Sequence, residues 1–299
     1  MTATISALSV GPAAVRAIST PGAAVRLHSV FPSTVNLAVD GAAILVALTG
    51  PSGTCYPHAV ALEREVSFPG LSIAPGDSGR VSAHGILIEG QSGGLLATLD
   101  QARRPRARVP PPIAQRAGAW RACVRWLDDF QSRSSCDLRM SALLTGSRKA
   151  TSFGALFHRS ARELGLATVA EKGCGARLHG AVSSLVGAGQ GLTPSGDDFL
   201  SGFMAALRTR GSPVLASALG KAIETNLAAT GEISASLLRC TVEGFWPEPL
   251  LDLADALAAE NEPEALHALE GLFCLGHSSG ADMASGFLFG LASLPKESA

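Results

Sequence analysis

Aromatic side chains are scarce in these 299 residues: 11 Phe, 3 Trp and a single Tyr. Net charge is nearly absent too, with 24 Lys plus Arg against 25 Asp plus Glu. A nucleic-acid binder needs a basic excess and, for single strands, rings on which bases stack, so that class is excluded. No Cys-x-x-Cys pair occurs among Cys55, Cys123, Cys136, Cys174, Cys240 and Cys274, and none stands at zinc-finger spacing from a histidine pair. The longest purely apolar run, Ala42 to Leu48, is strand-sized, against the ~18–20 residues of a membrane span. Met1 to Thr20 has neither the basic start nor the continuous apolar stretch of a signal peptide. A cytoplasmic protein with no membrane partner and free, mostly buried thiols is therefore expected. What is present is 46% hydrophobic and 16% charged, a globular chain with ample core and room for about two domains.

The first hundred residues read as β-rich. Val25 to Phe31, Thr34 to Val39 and Ala43 to Leu48 are short apolar or β-branched runs, broken by Pro32-Ser33 and Asp40-Gly41. Asp-Gly between two such runs predicts a hairpin whose central residues both take positive φ. His58 to Leu62, Arg80 to Ala83 and Gly85 to Glu89 complete a small twisted sheet or partial barrel. Gln101 to Pro112 carries Arg103, Arg104, Arg106 and Arg108 and ends in three prolines, which block helix and central strand alike. This stretch reads as a solvated connection, giving a β-rich domain over 1–105 and a helical domain over 106–299.

Beyond it the pattern is helical: Ile113 to Phe130, Phe153 to Leu164, Ala176 to Val186, Asp197 to Thr209, Pro213 to Ala228, Ile233 to Phe245, Pro249 to Glu260, Pro263 to Leu272 and Ala281 to Leu291. Gly165 and Gly187 read as helix stops, and Pro213, Pro249 and Pro263 as first-turn residues. The fold class is α+β, a β-rich N-terminal part followed by a mostly helical C-terminal part.

That helical part contains an internal repeat. Ser195-Gly196-Asp197-Asp198-Phe199-Leu200-Ser201-Gly202-Phe203 matches Ser279-Gly280-Ala281-Asp282-Met283-Ala284-Ser285-Gly286-Phe287, 84 residues later. Phe199, Phe203, Met204 and Leu207 correspond to Met283, Phe287, Leu288 and Leu291, one helical face in each copy. Ser-x-x-Asp reads as a capping box, and Gly202 and Gly286 as points of close helix approach.

Capping does not account for what precedes each box. Gly187, Gly189 and Gly191 alternate before Thr193-Pro194-Ser195, and Gly276-His277-Ser278 precedes Ser279. Glycine permits positive φ and close backbone approach, and amides at a helix N-terminus attract anions. The candidate anion-binding residues are Gly189, Gly191, Thr193, Ser195, Gly196, Asp198, Ser278, Ser279, Gly280 and Asp282. Asp197 departs from the repeat, where Ala281 replaces it, and His277 can donate a proton; these two are the candidate catalytic residues. Two acids beside an anion require either a bridging Mg²⁺ or a cap-like role facing away. No metal-ligand set is evident and no other cofactor is implied, and Cys174 with His179 lacks further ligands. Thr230 and Ser234, four apart near a helix start, read as a local cap. The first loop has neither the Gly-Lys-Ser/Thr ending of a P-loop nor Gly-x-Gly-x-x-Gly spacing, and Gly-x-Ser-x-Gly is absent around Ser195.

The two segments Gly189–Gly202 and Leu275–Asp282 resemble the signatures of the AllH-like family, and a weaker likeness extends to Val35-Asn36-Leu37. The family is described as a domain of unknown function, is also labelled a carboxylase, and is linked to the oxamate carbamoyltransferase complex of allantoin breakdown. The resemblance implies a subunit or relative of such a transferase, acting with carbamoyl phosphate and oxamate and with other subunits of the complex. The alternatives are a non-catalytic assembly or regulatory subunit, or an independent carboxylase or ligase. On the transferase reading the two glycine-rich loops should lie close in space and bind a small phosphorylated or carboxylated metabolite; on the assembly reading the same loops contact a partner.

The even charge balance conceals a segregation. Residues 101–150 carry 11 Lys plus Arg and 3 acids, whereas residues 240–295 carry 9 acids and no Lys or Arg. These regions are expected to face one another, within one chain or between copies in a homo-oligomer.

Overall fold

The computed structural model describes residues 2–105, 107–113, 118–134, 138–145, 152–169 and 174–293. Arg106, Arg116, Cys136, Arg148 and Lys149 lie outside the described residues, as do 114–117, where the first helix is predicted to begin. The chain divides into two compact units, Met1–Arg108 and Val109–Ala299.

The first unit is a closed barrel of eight strands: β1 (Thr2–Val10), β2 (Ala24–Val30), β3 (Thr34–Val39), β4 (Leu45–Thr49), β5 (Ala59–Leu62), β6 (Ser78–Val81), β7 (Gly85–Glu89) and β8 (Gly94–Thr98). The order around it is β1-β5-β4-β3-β2-β6-β7-β8, with β8 returning to β1. Closure comes from two parallel pairings, β1 with β8 and β4 with β5; the other pairs are antiparallel. Closing the sheet leaves no edge strand, and alternate residues such as Leu37, Leu48, Leu62, Ile86, Ile88 and Leu95 fill the interior. The Asp40-Gly41 hairpin forms between β3 and β4, but only Gly41 takes a positive φ, of 78°. The loop is longer than the tight two-residue turn expected, so Asp40 keeps ordinary backbone geometry. The arginine-rich stretch is not wholly free linker at its start: Arg103 N–H bonds to the Leu8 carbonyl at 2.8 Å, extending the barrel's pairing.

The second unit comprises α2 (Gly118–Arg133), α3 (Met140–Thr145), α4 (Ser152–Val169), α5 (Cys174–Leu185), α6 (Ser195–Thr209), α7 (Pro213–Asn226), α8 (Glu232–Glu243), α9 (Glu248–Ala258), α10 (Glu262–Phe273) and α11 (Ser279–Ser293); the short α1 (Pro12–Ala17) belongs to the barrel. None of the helices among the described residues is long and apolar enough to cross a membrane. Gly187 follows the end of α5 with φ 74°, as a helix stop should. Gly165 does not stop α4, which runs through it to Val169. A Cβ there would press on Ser293 and Phe289 of α11, so this glycine serves contact between helices rather than termination. Of the four free cysteines described, Cys123 and Cys240 are buried, and burial pushes both thiols up to about 12. The basic α2 packs on the acidic α10, with Phe130 stacked on Phe273 at a ring-centroid distance of 3.9 Å. The two charge-segregated stretches therefore adjoin through an apolar contact.

The repeat helices α6 and α11 are the centre of this unit. Nearly every residue from Gly196 to Leu207 and from Gly280 to Leu291 is buried. A Cβ on Gly202 would collide with the Met283 carbonyl, and one on Gly286 with the Phe199 carbonyl. Gly290 meets Ala206 and Phe203, so contact positions advance together along both helices. The helices therefore run parallel, and both N-termini emerge at the same end. Gly286→Ala is expected to force the helices apart and lower unfolding free energy by about 3 kcal/mol in urea titration; an unchanged midpoint would refute this account of the packing.

Candidate functional site

Parallel packing brings the two glycine-rich loops together. Gly187, Gly189 and Gly191 take φ of 74°, 129° and 90°, and Gly276 takes 64°, all in the region that side chains disfavour. The first loop folds over the start of α6: Gly196 N–H bonds to the Ala188 carbonyl at 2.8 Å, and a Cβ on Gly189 would come within 2.6 Å of the Ser195 nitrogen. In the second, Gly280 N–H bonds to the Leu275 carbonyl at 3.1 Å. The two glycines Gly196 and Gly280 press against carbonyls of Leu185 and Leu272, the ends of the preceding helices. With those amides bonded inside the protein, the side-chain donors at the helix starts are the half-buried hydroxyls of Thr193, Ser195, Ser278 and Ser279. Thr193 Oγ1 and Ser279 Oγ, one from each loop, are 2.8 Å apart. Gly191 and His277 are exposed beside them.

The capping-box expectation fails in the first copy. Pro194 is the N-cap of α6 and has no side chain that can accept an amide proton. Asp198, freed from capping, is buried and hydrogen-bonded to the side chains of Ser279 and Thr193. Burial, with the charge of Asp282 next in weight, holds its carboxyl well above the usual range against the opposing effect of those hydrogen bonds. A proton count agrees: the Thr193, Ser279 and Asp198 groups make three mutual contacts, and two hydroxyl protons fill only two of them. Oδ2 of Asp198 is buried with no hydrogen-bond partner, a tolerable state for a neutral acid and a costly one for a carboxylate. Asp282 occupies the equivalent buried position on α11.

Its neighbour Asp197 has a different environment. Oδ1 accepts from Gly187 N–H at 2.8 Å, and Oδ2 accepts from Thr230 Oγ1 at 2.5 Å and Ser234 Oγ at 2.6 Å. Burial raises its carboxyl, while those three donors oppose the rise. Thr230 and Ser234 are thus not a local cap: Gly231 caps α8 without side-chain help, and both hydroxyls reach across to α6. Spacing revealed that they share a face, but nothing local reveals an acid 33 residues away. No group of three or more His, Cys, Asp or Glu that could hold a metal ion occurs among the described residues. The side chain of Cys174 lies outside them. A separate groove of about 830 Å³ runs along α7 past Arg208 and Lys221, at the C-terminal end of α6.

A carboxyl raised in the folded state binds a proton that the unfolded chain has already released, so its stabilising contribution is complete below about pH 4 and lost as pH rises through its folded value. Asp198→Asn stays neutral, so its melting temperature is expected to match wild type near pH 4 and exceed it increasingly toward pH 9. Parallel pH profiles for the two proteins would contradict a protonated Asp198.

Comparison with known proteins follows the division of the chain. A family described as oxamate carbamoyltransferase subunit AllH matches residues 185–291, from the end of α5 through both loops to α11. The AllH family N-terminal domain matches residues 6–104, the barrel. No solved structure matches the chain. With both family matches in chain order and covering most of its length, the protein belongs to the AllH family.

Proposed function

We propose that this chain is a carbamoyltransferase subunit that binds a small phosphorylated or carboxylated metabolite where α6 and α11 begin. The observation that carries this reading is the 2.8 Å contact between Thr193 and Ser279, which joins the two loops at a shared end of parallel helices. Two helix N-termini side by side present partial positive charge in the same direction, and half-buried hydroxyls supply donors there. A protonated Asp198 removes the repulsion that an ionised acid would exert on an arriving anion. Its proton also lets the Thr193 and Ser279 hydroxyls turn outward, each donating to the ligand while one accepts from the acid.

Carbamoyl phosphate and oxamate both fit such a site by charge. In transfer, the amide nitrogen of oxamate attacks the carbamoyl carbon, the carbon–oxygen bond to phosphate breaks, and the nitrogen gives up a proton. The hydroxyls would hold the phosphate as charge develops on it. His277, exposed at the start of the second loop, would exchange a proton with bound substrate. Asp282 is buried and its charge acts on Asp198, and Ser195 and Ser278 add half-buried hydroxyls at the two helix starts. A non-catalytic assembly or regulatory subunit is the second reading, favoured by the family's description as a subunit.

Calorimetry on the purified chain with carbamoyl phosphate, oxamate and inorganic phosphate is expected to give heat of binding with at least one. The Thr193→Val, Ser279→Ala double variant should weaken that binding at least tenfold. No heat with any of the three would sink the anion site and leave the assembly role.

A further inference from the structure

Thr230 and Ser234 touch neither glycine-rich loop directly with their hydroxyls, yet both end on the acid that holds the first one. Asp197 ties three segments: Gly187 at the start of the loop, Thr230 after the short 3-10 turn Leu227–Ala229, and Ser234 in the first turn of α8. A second observation makes the same connection through the backbone. A Cβ on Gly187 would collide with the Ala229 carbonyl, so the loop's first glycine rests directly on that turn. Only the first repeat has this arrangement, because Ala281 stands where Asp197 would be in the second. The first loop is also the longer one, and a longer loop has more conformational freedom to lose on ordering.

We propose that Thr230 and Ser234 are positioning residues, which hold the Gly187–Pro194 loop in its ligand-ready shape by clamping Asp197. This rests on the reading of that loop as an anion site. The clamp acts before the ligand arrives: it fixes Gly187 in its positive-φ conformation and sets the direction in which Gly189, Gly191 and Thr193 follow. Binding then orders a loop that is already ordered, which spares the ligand that cost. Asp197 itself works through the loop, since both its oxygens are occupied by protein donors.

The test pairs hydrogen–deuterium exchange with calorimetry on the full chain, comparing wild type, Thr230→Val, Thr230→Ser and Ser234→Ala. Thr230→Val is expected to raise exchange across the 187–194 loop by at least tenfold and to weaken binding of inorganic phosphate or carbamoyl phosphate about tenfold. Exchange in the body of α8 should not change. Thr230→Ser keeps the hydroxyl and should restore both loop exchange and affinity, which a loss of packing alone would not allow. Loop exchange in Thr230→Val equal to wild type overturns the clamp, whatever happens to binding. A wild-type chain that binds none of the anions overturns the site reading instead, and exchange alone then decides the clamp. Faster exchange in α8 as well as the loop, unrescued by serine, also overturns it, because the hydroxyls would then be serving the fold of α8.

Discussion

Close parallel packing of α6 on α11 is the constraint on which the helical unit depends. Helix dipoles running side by side in one direction repel slightly, so the pair needs a compensating gain, and glycine supplies it by letting backbones touch. Gly202 against Met283 and Gly286 against Phe199 leave no room for even a methyl group. Around that line of contact Phe157, Phe199, Phe203 and Phe289 pack as a ring cluster, with Phe157 and Phe199 edge to face at 5.3 Å. A chain with so few aromatic residues has concentrated four of them on one seam. The functional consequence is direct: only parallel helices place two N-termini, and so two loops, at one end.

Two adjacent aspartates show how sharply that packing discriminates. Asp197 and Asp198 are neighbours in sequence at the start of one helix, about 100° apart around its axis. One faces the turn before α8 and meets three donors; the other faces α11, meets Asp282 and is pushed toward its neutral form. The first organises backbone, and the second sets the charge beneath the shared hydroxyls. Identical side chains acquire different chemistry because burial and neighbours, rather than residue type, govern where a proton sits.

Much of the fold is legible in the chain itself. Helical periodicity and proline positions locate α5 to α11 within a few residues, and the repeat identifies the pair that forms the centre. Six strands follow from β-branched runs and turn residues. The two that do not, β1 and β8, close the barrel through parallel pairing, which no hairpin turn announces. Thr2–Ala7 does alternate polar and apolar residues, but two of its three apolar members are alanine, and Gly94–Thr98 opens on glycine, so both segments give a weak strand signal. Local patterns also misassign Gly165 and the serine of the first capping box. A glycine inside a helix looks like a stop until the helix packed on it is known, and Ser195 looks like a cap until Pro194 takes that place.

Sequence by itself determined six of the eight strands and the long helices, where the loops need glycine, and which two segments are copies of one another. These are properties of backbone stereochemistry and of hydrophobic period, both of which are local. The tertiary structure alone decided that the copies run parallel, that Thr193 meets Ser279, and that Thr230 and Ser234 serve an acid on another helix. Those pairings span 33 to 86 residues of chain. They depend on which surfaces exclude water together, and no short window of sequence contains that information.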